Sequence, residues 1–191
     1  ASSTIEELAS GTFRPVLDDP TAIVREAEVT RLILCSGKVA VDLEASPLRA
    51  QATRVAIVRV EQLAPFQNTA LRQVISRYPN VVEVVWLQEE PRNMGAWSWM
   101  EPRLRELTGG ALPVRYIGRA ERASPAEGSA DLHAIEQARI VAQAFADVPE
   151  RPASRRNGRA IVRPERQDGE GEANGPAVAA TKKTARAKHA S

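Results

Sequence analysis

The sequence predicts a three-layer α/β/α sandwich around a mostly parallel sheet. Three observations carry that expectation: four short apolar runs recur along the chain, each is followed by a stretch with helical periodicity, and the runs are apolar on both faces. Parallel strands need a connection long enough to hold a helix, and a strand covered by helices on both sides has no face to leave polar.

The elements follow in order. "RLILCSG" (31–37) is a β-rich run ending at a glycine, and "KVAVDLEASPLRAQ" (38–51) reads as a helix despite Pro47. "RVAIVRV" (54–60) is the second run. "NTALRQVISRYP" (68–79) follows, with Ala70, Leu71, Val74, Ile75 and Tyr78 at helical spacing. "NVVEVVWLQ" (80–88) is the third run, and the stretch 95–107 holds a helix that Pro102 must start or bend. "LPVRYIG" (112–118) is the fourth. In "ADLHAIEQARIVAQAFA" (130–146), Leu132, Ile135, Ala138, Val141 or Ala142, and Phe145 share one face, with Ser129 or Asp131 as cap. Residues 1–30 fall outside this cycle and read as a linker or extended arm from an upstream domain; residues 31–148 form the α/β domain.

Residues 149–191 are a different material. Beyond Glu150 there is no Leu, Phe, Trp, Tyr or Met, and residues 151–191 carry ten Lys and Arg against four Asp and Glu, whereas residues 1–150 carry sixteen against twenty. With so little to bury, this segment is expected to be a disordered basic tail. "TKKTARAKH" could attract phosphate, but no aromatic residue is interleaved for base stacking, so a solvated tail is expected and nucleic acid is not an expected partner.

Composition narrows the class. No charged stretch precedes an apolar signal core, and no apolar run approaches the ~20 residues that span a bilayer. The chain is therefore expected to be a soluble internal or carboxy-terminal piece of something longer, with no membrane partner and a cytoplasmic setting. One cysteine, Cys35, forms no internal disulfide, and with two separated histidines it makes no metal cage.

In open α/β sheets, ligands lie beyond the carboxyl ends of the strands. Those ends here are "CSGK", "RVEQLAPF", "QEEPRNMG" and "GRAERASPAEG". Ser36, Gly37 and Lys38 could hold an anion at a helix start or could form a simple capped turn. Arg59 could join Lys38 against a phosphate or pair with Glu61 or Glu89. Glu89 and Glu90 should point to opposite faces if the strand reaches them, which argues against an acid–base dyad. No triad or nucleophile with its base is spaced for catalysis. His133 reads as a surface histidine and Cys35 as a small buried hydrophobe. Trp97 and Trp99 are costly to leave in water and suit an interface.

"LCSGKV", "VAIVRVEQLAPF", "RYPNVVEVVWLQEEPRNMGAWSWM" and "YIGRAERASPAEGSADLHAIEQARIV", in this order, resemble the carboxy-terminal domain of the thiamine-dependent first component of the 2-oxoglutarate dehydrogenase complex, whose fold is transketolase C-terminal-like. The entry "STIEELASGTFRPV" resembles the segment through which that family's preceding domain runs into this one. The resemblance covers about residues 2–147, although transketolase-like relatives share the fold and parts of the pattern.

It implies an enzyme that decarboxylates 2-oxoglutarate in the tricarboxylic acid cycle and passes the succinyl group to the lipoyl arm of a dihydrolipoyl succinyltransferase. Thiamine diphosphate and magnesium would be bound by upstream domains of a homodimer. No residue of this sequence corresponds to the family's diphosphate motif, activating glutamate or substrate histidines, so no catalytic or cofactor-binding residue is carried over and the chain alone is expected to be inactive. What carries over is a packing role. Gln88, Glu89, Glu90, Pro91, Asn93, Gly95 and Trp97 are expected at the domain or dimer contact, with Trp97 serving that contact more than the domain's own folding. Some bacterial members are activated by acetyl-CoA, and Ser36, Lys38 and Arg59 are candidates for its phosphates by fold position. A stand-alone α/β binding module with a basic arm, and another transketolase-like 2-oxoacid enzyme, are the rival readings.

Overall fold

The computed structural model describes residues 5–150, so the predicted disorder of the basic tail falls, from residue 151 on, outside the described residues. Four parallel strands, β2 (Arg31–Cys35), β3 (Val55–Val60), β4 (Glu83–Pro91) and β5 (Val114–Arg119), form the sheet that the apolar runs predicted. A short strand, β1 (Val16–Leu17), adds antiparallel to β3, giving the order β1-β3-β2-β4-β5. The helices are α1 (Ile5–Ser10), α2 (Pro20–Ile23), α3 (Lys38–Ala45), α4 (Asn68–Arg77), α5 (Trp97–Leu107) and α6 (Ala130–Phe145), with a 3₁₀ turn at Pro47–Gln51. Among the described residues no helix is long and apolar enough to cross a membrane.

Alternation along the strands builds two cores. Leu32 and Leu34 of β2 join Val84 and Trp86 of β4 in a cluster closed by Leu71 and Ile75 of α4 and by Met100 and Leu104 of α5. Ile33 and Cys35 turn the other way, with Val85 and Leu87, onto Val39 and Leu43 of α3 and Ile140 and Ala144 of α6. All five residues of β2 are buried, as a central strand between two helical layers must be. The three-layer expectation therefore holds.

Three local expectations shift. The helix read across 38–51 breaks at Ser46, whose backbone is extended (ψ 134°), because Pro47 lacks an N–H and crowds the residue before it. Ser46 then caps the 3₁₀ turn by accepting from Leu48 N. Pro102 does not start α5 but lies sixth within it; the bond it cannot make falls at Ser98, on the exposed side.

The boundary at residue 30 also moves. Val16 and Leu17 lie in register with Val60 and Arg59, and the Pro15 carbonyl accepts from Glu61 N and Gln62 N. Asp19 is 1 % exposed: its carboxylate caps α2 through Thr21 N and Ala22 N, accepts from Ile57 N of β3, and pairs with Arg49. A strand edge left bare is a site for unwanted pairing, and the incoming chain covers that edge. Residues 15–29 are thus part of the domain rather than an arm leading to it.

The face predicted for α6 is the third correction. Ser129 caps the helix, and Val141 and Phe145 pack half-buried against the second core beside buried Ile140 and Ala144, but Leu132, Ile135, Ala138 and Ala142 are exposed. Polar anchors set this rotation. Gln137 donates to Asp42 of α3 (2.8 Å) and Glu89 of β4 (2.9 Å), and Arg139 donates to the Gly118 carbonyl (3.0 Å). At the far end, buried Arg31 donates to the carbonyls of Ala144, Ala146 and Asp147 while pairing with Glu83 at 2.6 Å. A cation at a helix carboxyl end meets carbonyls that have no intrahelical partner.

Candidate functional site

The stretch from β4 into α5 is organised by one side chain. Gln88, 4 % exposed, accepts at Oε1 from Trp86 Nε1 (2.8 Å) and from Trp97 N (2.9 Å). Its Nε2 donates to the carbonyls of Met94 (2.8 Å), Pro91 (3.1 Å) and Glu90 (3.3 Å). A single amide thus satisfies the indole of the strand, the first N–H of the helix and three carbonyls of the turn between them. Gly95, at φ 64°, allows the tight return. A Cβ there would stand about 3.0 Å from Gln88 Nε2 and Glu90 Oε2.

The residues expected at an outer contact divide accordingly. Gln88, Pro91 and Trp97 face inward; Trp97 is 5 % exposed and packs with Tyr116 at 5.2 Å between ring centroids. Trp97 therefore belongs to this chain's own core, whereas it was expected to serve an outer contact more than the domain's own folding. Glu90, Asn93 and Gly95 are exposed and Glu89 half-buried. Asn93 brackets the neighbouring loop, donating to the Arg122 carbonyl (2.9 Å) and accepting from Arg122 N (3.1 Å). The outward aromatic is Trp99, 38 % exposed, with the Arg103 guanidinium 3.2 Å from its ring centroid and its indole N–H donated to the Leu63 carbonyl.

The two glutamates diverge as strand geometry requires. Glu89 reaches Gln137 of α6, whereas Glu90 stands against Gly95 on the α5 side. No dyad forms between them.

At the carboxyl end of β2, Ser36 is half-buried and Gly37 caps α3 at φ 75°, a conformation that favours glycine. Lys38 is exposed and holds Asp42 at 2.5 Å, one turn along; this hydrogen bond raises the ammonium pKa above its ordinary value. Arg59 pairs with Glu61 at 2.8 Å. The two cations are therefore each committed to a carboxylate, and the structure records no contact between them. A polar chain instead runs Lys38–Asp42–Gln137–Glu89, joining α3, α6 and β4.

Cys35 is fully buried, and that burial pushes its thiol up to about 12. His133 is exposed, with Nδ1 2.9 Å from a nitrogen of the Arg119 guanidinium. Among the described residues no three His, Cys, Asp or Glu side chains converge as a metal site, and no step at thiamine diphosphate or magnesium is assigned to them.

Sequence reasoning passed over the arginines near the ends of β4 and β5: Arg92, Arg119, Arg122 and, across from them on α6, Arg139. They line one cleft of about 380 Å³ with Tyr116 and Glu136. Their spacing along the chain gives no periodic signal, since three elements deliver them.

A family model described as "2-oxoglutarate dehydrogenase C-terminal" matches residues 2–145. A "2-oxoglutarate dehydrogenase E1 component" of Exiguobacterium sp. is 46% identical over 147 residues, 76% of this chain and 16% of that protein. Proteins of the same description from Shouchella clausii (44% identical, 75% of this chain and 16% of theirs) and Geobacillus kaustophilus (46%, 74% and 15%) match the same region. The chain thus spans about one sixth of the length of the curated relatives it matches. With three quarters of its length covered by the match, the chain belongs to the 2-oxoglutarate dehydrogenase C-terminal family.

Proposed function

We propose that this chain is the carboxy-terminal domain of a thiamine diphosphate-dependent first component of 2-oxoglutarate dehydrogenase, and that its work is to pack against catalytic domains and a second subunit. The observation that carries the reading is the 46% identity to a 2-oxoglutarate dehydrogenase first component of which the match occupies only 16%. The remaining length of such a protein is where thiamine diphosphate, magnesium and 2-oxoglutarate would be held. The whole enzyme would act in the cytoplasm, as a homodimer, delivering succinyl groups of the tricarboxylic acid cycle to a dihydrolipoyl succinyltransferase.

Two surfaces suit the packing role. One is the turn at Glu90, Asn93 and Gly95 with exposed Trp99; the other is the entry of the chain, where Ile5, Leu8 and Phe13 are 80 %, 75 % and 69 % exposed. Large apolar side chains left this open are what an interface would bury. Acetyl-CoA at Ser36, Lys38 and Arg59 is a separate component of the proposal, and its phosphates would have to displace Asp42 and Glu61 from the two cations. An acetyl-CoA titration of the complete enzyme giving no heat would remove that component alone.

The packing role is tested by deleting residues 16–148 from the complete enzyme. The expected result is loss of the dimer in sedimentation, together with loss of 2-oxoglutarate-dependent NADH formation in the reconstituted complex. A truncated enzyme that stays dimeric and active would contradict the proposal.

A further inference from the structure

The cleft between the carboxyl ends of β4 and β5 and the outer side of α6 is lined by four guanidiniums, those of Arg92, Arg119, Arg122 and Arg139. The carboxylates nearby do not balance them. The Glu127 side chain is 3 % exposed and is shared by Arg119 at 3.3 Å and Arg122 at 2.6 Å. Glu136 lies in the cleft and pairs with Arg139 at 2.8 Å. Its carboxyl is held below the ordinary glutamate range, first by the Arg139 hydrogen bond and further by the charges of Arg139, Arg122 and Arg119. Among the described residues Arg92 has no carboxylate at ion-pair distance. Its guanidinium lies over the rings of Trp97 and Tyr116, at 5.7 and 5.6 Å from their centroids. Arg119, 4 % exposed, keeps Nε at ion-pair distance from Glu127 without a hydrogen bond, one of three such buried polar atoms in the described chain.

The cleft is also held in shape. The Tyr116 hydroxyl shares its one proton between the carbonyls of Glu90 (2.9 Å) and Arg119 (2.8 Å), and burial raises its pKa to about 12. Gly118 admits this packing, since a Cβ there would fall 2.2 Å from the Tyr116 oxygen. Arg139 is tied to the Gly118 carbonyl and to Gln143 Oε1 (2.8 Å). Guanidiniums fixed in advance lose little freedom when they bind, and their planar forks match phosphoryl oxygens.

From these residues we infer that the cleft is a binding site for a phosphate-bearing anion, with Arg92 and Arg122 as its outer grips and Arg119 and Arg139 behind them. A volume of about 380 Å³ exceeds a bare phosphate and lies at the small end of ligand sites. The site is distinct from Ser36, Lys38 and Arg59 and does not depend on the packing role proposed above.

The test is calorimetric titration of the full 191-residue chain with pyrophosphate, inorganic phosphate and citrate at matched ionic strength, with folding of each variant checked by circular dichroism. Saturable one-site binding of pyrophosphate, weakened about tenfold or more in both Arg92→Gln and Arg122→Gln and unchanged in Arg105→Gln, a surface variant of α5, is expected. Inorganic phosphate binding as tightly as pyrophosphate also supports the site and limits the recognised group to one phosphoryl. Absence of saturable heat, affinity untouched by the two arginine variants, or citrate binding as tightly as pyrophosphate would overturn the inference.

Discussion

Gln88→Ala would leave the Trp86 indole N–H and the Trp97 backbone N–H without acceptors in a buried setting. Each such donor costs about 1–3 kcal/mol, so a loss of about 3 kcal/mol or more is expected in urea unfolding, beyond what removal of a surface amide does. The two tryptophans that flank this turn should separate in the same assay. Trp97→Ala opens a cavity in the core and should cost about 3–5 kcal/mol, whereas Trp99→Ala, losing mainly an exposed stack with Arg103, should cost about 1 kcal/mol. Equal losses at the two positions would contradict the assignment of one to the core and the other to the surface. Both are tryptophans two residues apart at a helix start, and nothing local distinguishes their faces. What distinguishes them is the Gln88 bond to Trp97 N and the packing against Tyr116, and both depend on strands distant in sequence. Cys35 was legible because a cysteine that ends the apolar run 32–35 has nowhere but the core to go. Its thiol, normally near 9.0 and here pushed up to about 12, stays protonated in the folded chain. A thiol reagent at pH 8 should therefore label Cys35 at the rate of unfolding, and rapid labelling of the native chain would be the contrary result. The raised pKa also makes stability fall as pH climbs from about 9, where the unfolded thiol ionises, toward about 12.

Among the elements, the strands were the most legible, because a run such as "LILC" (32–35) is apolar at every position and only a central parallel strand buries both faces. Pro47 set the end of α3 in plain view, but the extended backbone of Ser46 had to be seen before the helix could be divided. The face of α6 was not legible. Its apolar residues run around the helix, and the face that is buried is chosen by Gln137 and Arg139 reaching partners on other elements. Arg31 is the strongest anchor of that helix, so Arg31→Leu should be severe. It strands Glu83, buried and left with Arg115 alone, and removes the donors that met three carbonyls at the end of α6. A loss of about 3–5 kcal/mol is expected, with hydrogen exchange speeding first in residues 140–147. Uniform acceleration across the sheet would show that Arg31 does not act through α6. β1 was missed because two residues carry no periodicity, and its pairing is imposed by the open edge of β3.

At the scale of the molecule, the chain has a closed double core, a turn pinned from within, and apolar side chains standing open where the chain enters and where α6 begins. That distribution is what a domain shaped by neighbours leaves on its surface. Its charged groups are mostly spent on one another: Lys38 on Asp42, Arg59 on Glu61, Arg31 on Glu83. Among the described residues, the arginine cleft by β5 gathers four guanidiniums with the carboxylates of Glu127 and Glu136. The role proposed for these residues is to assemble an enzyme without performing its reaction. Decarboxylation of 2-oxoglutarate by the purified 191-residue chain, supplied with thiamine diphosphate and magnesium, tests it most directly. The account predicts carbon dioxide release no faster than in buffer, and saturable turnover proportional to the amount of chain would contradict it.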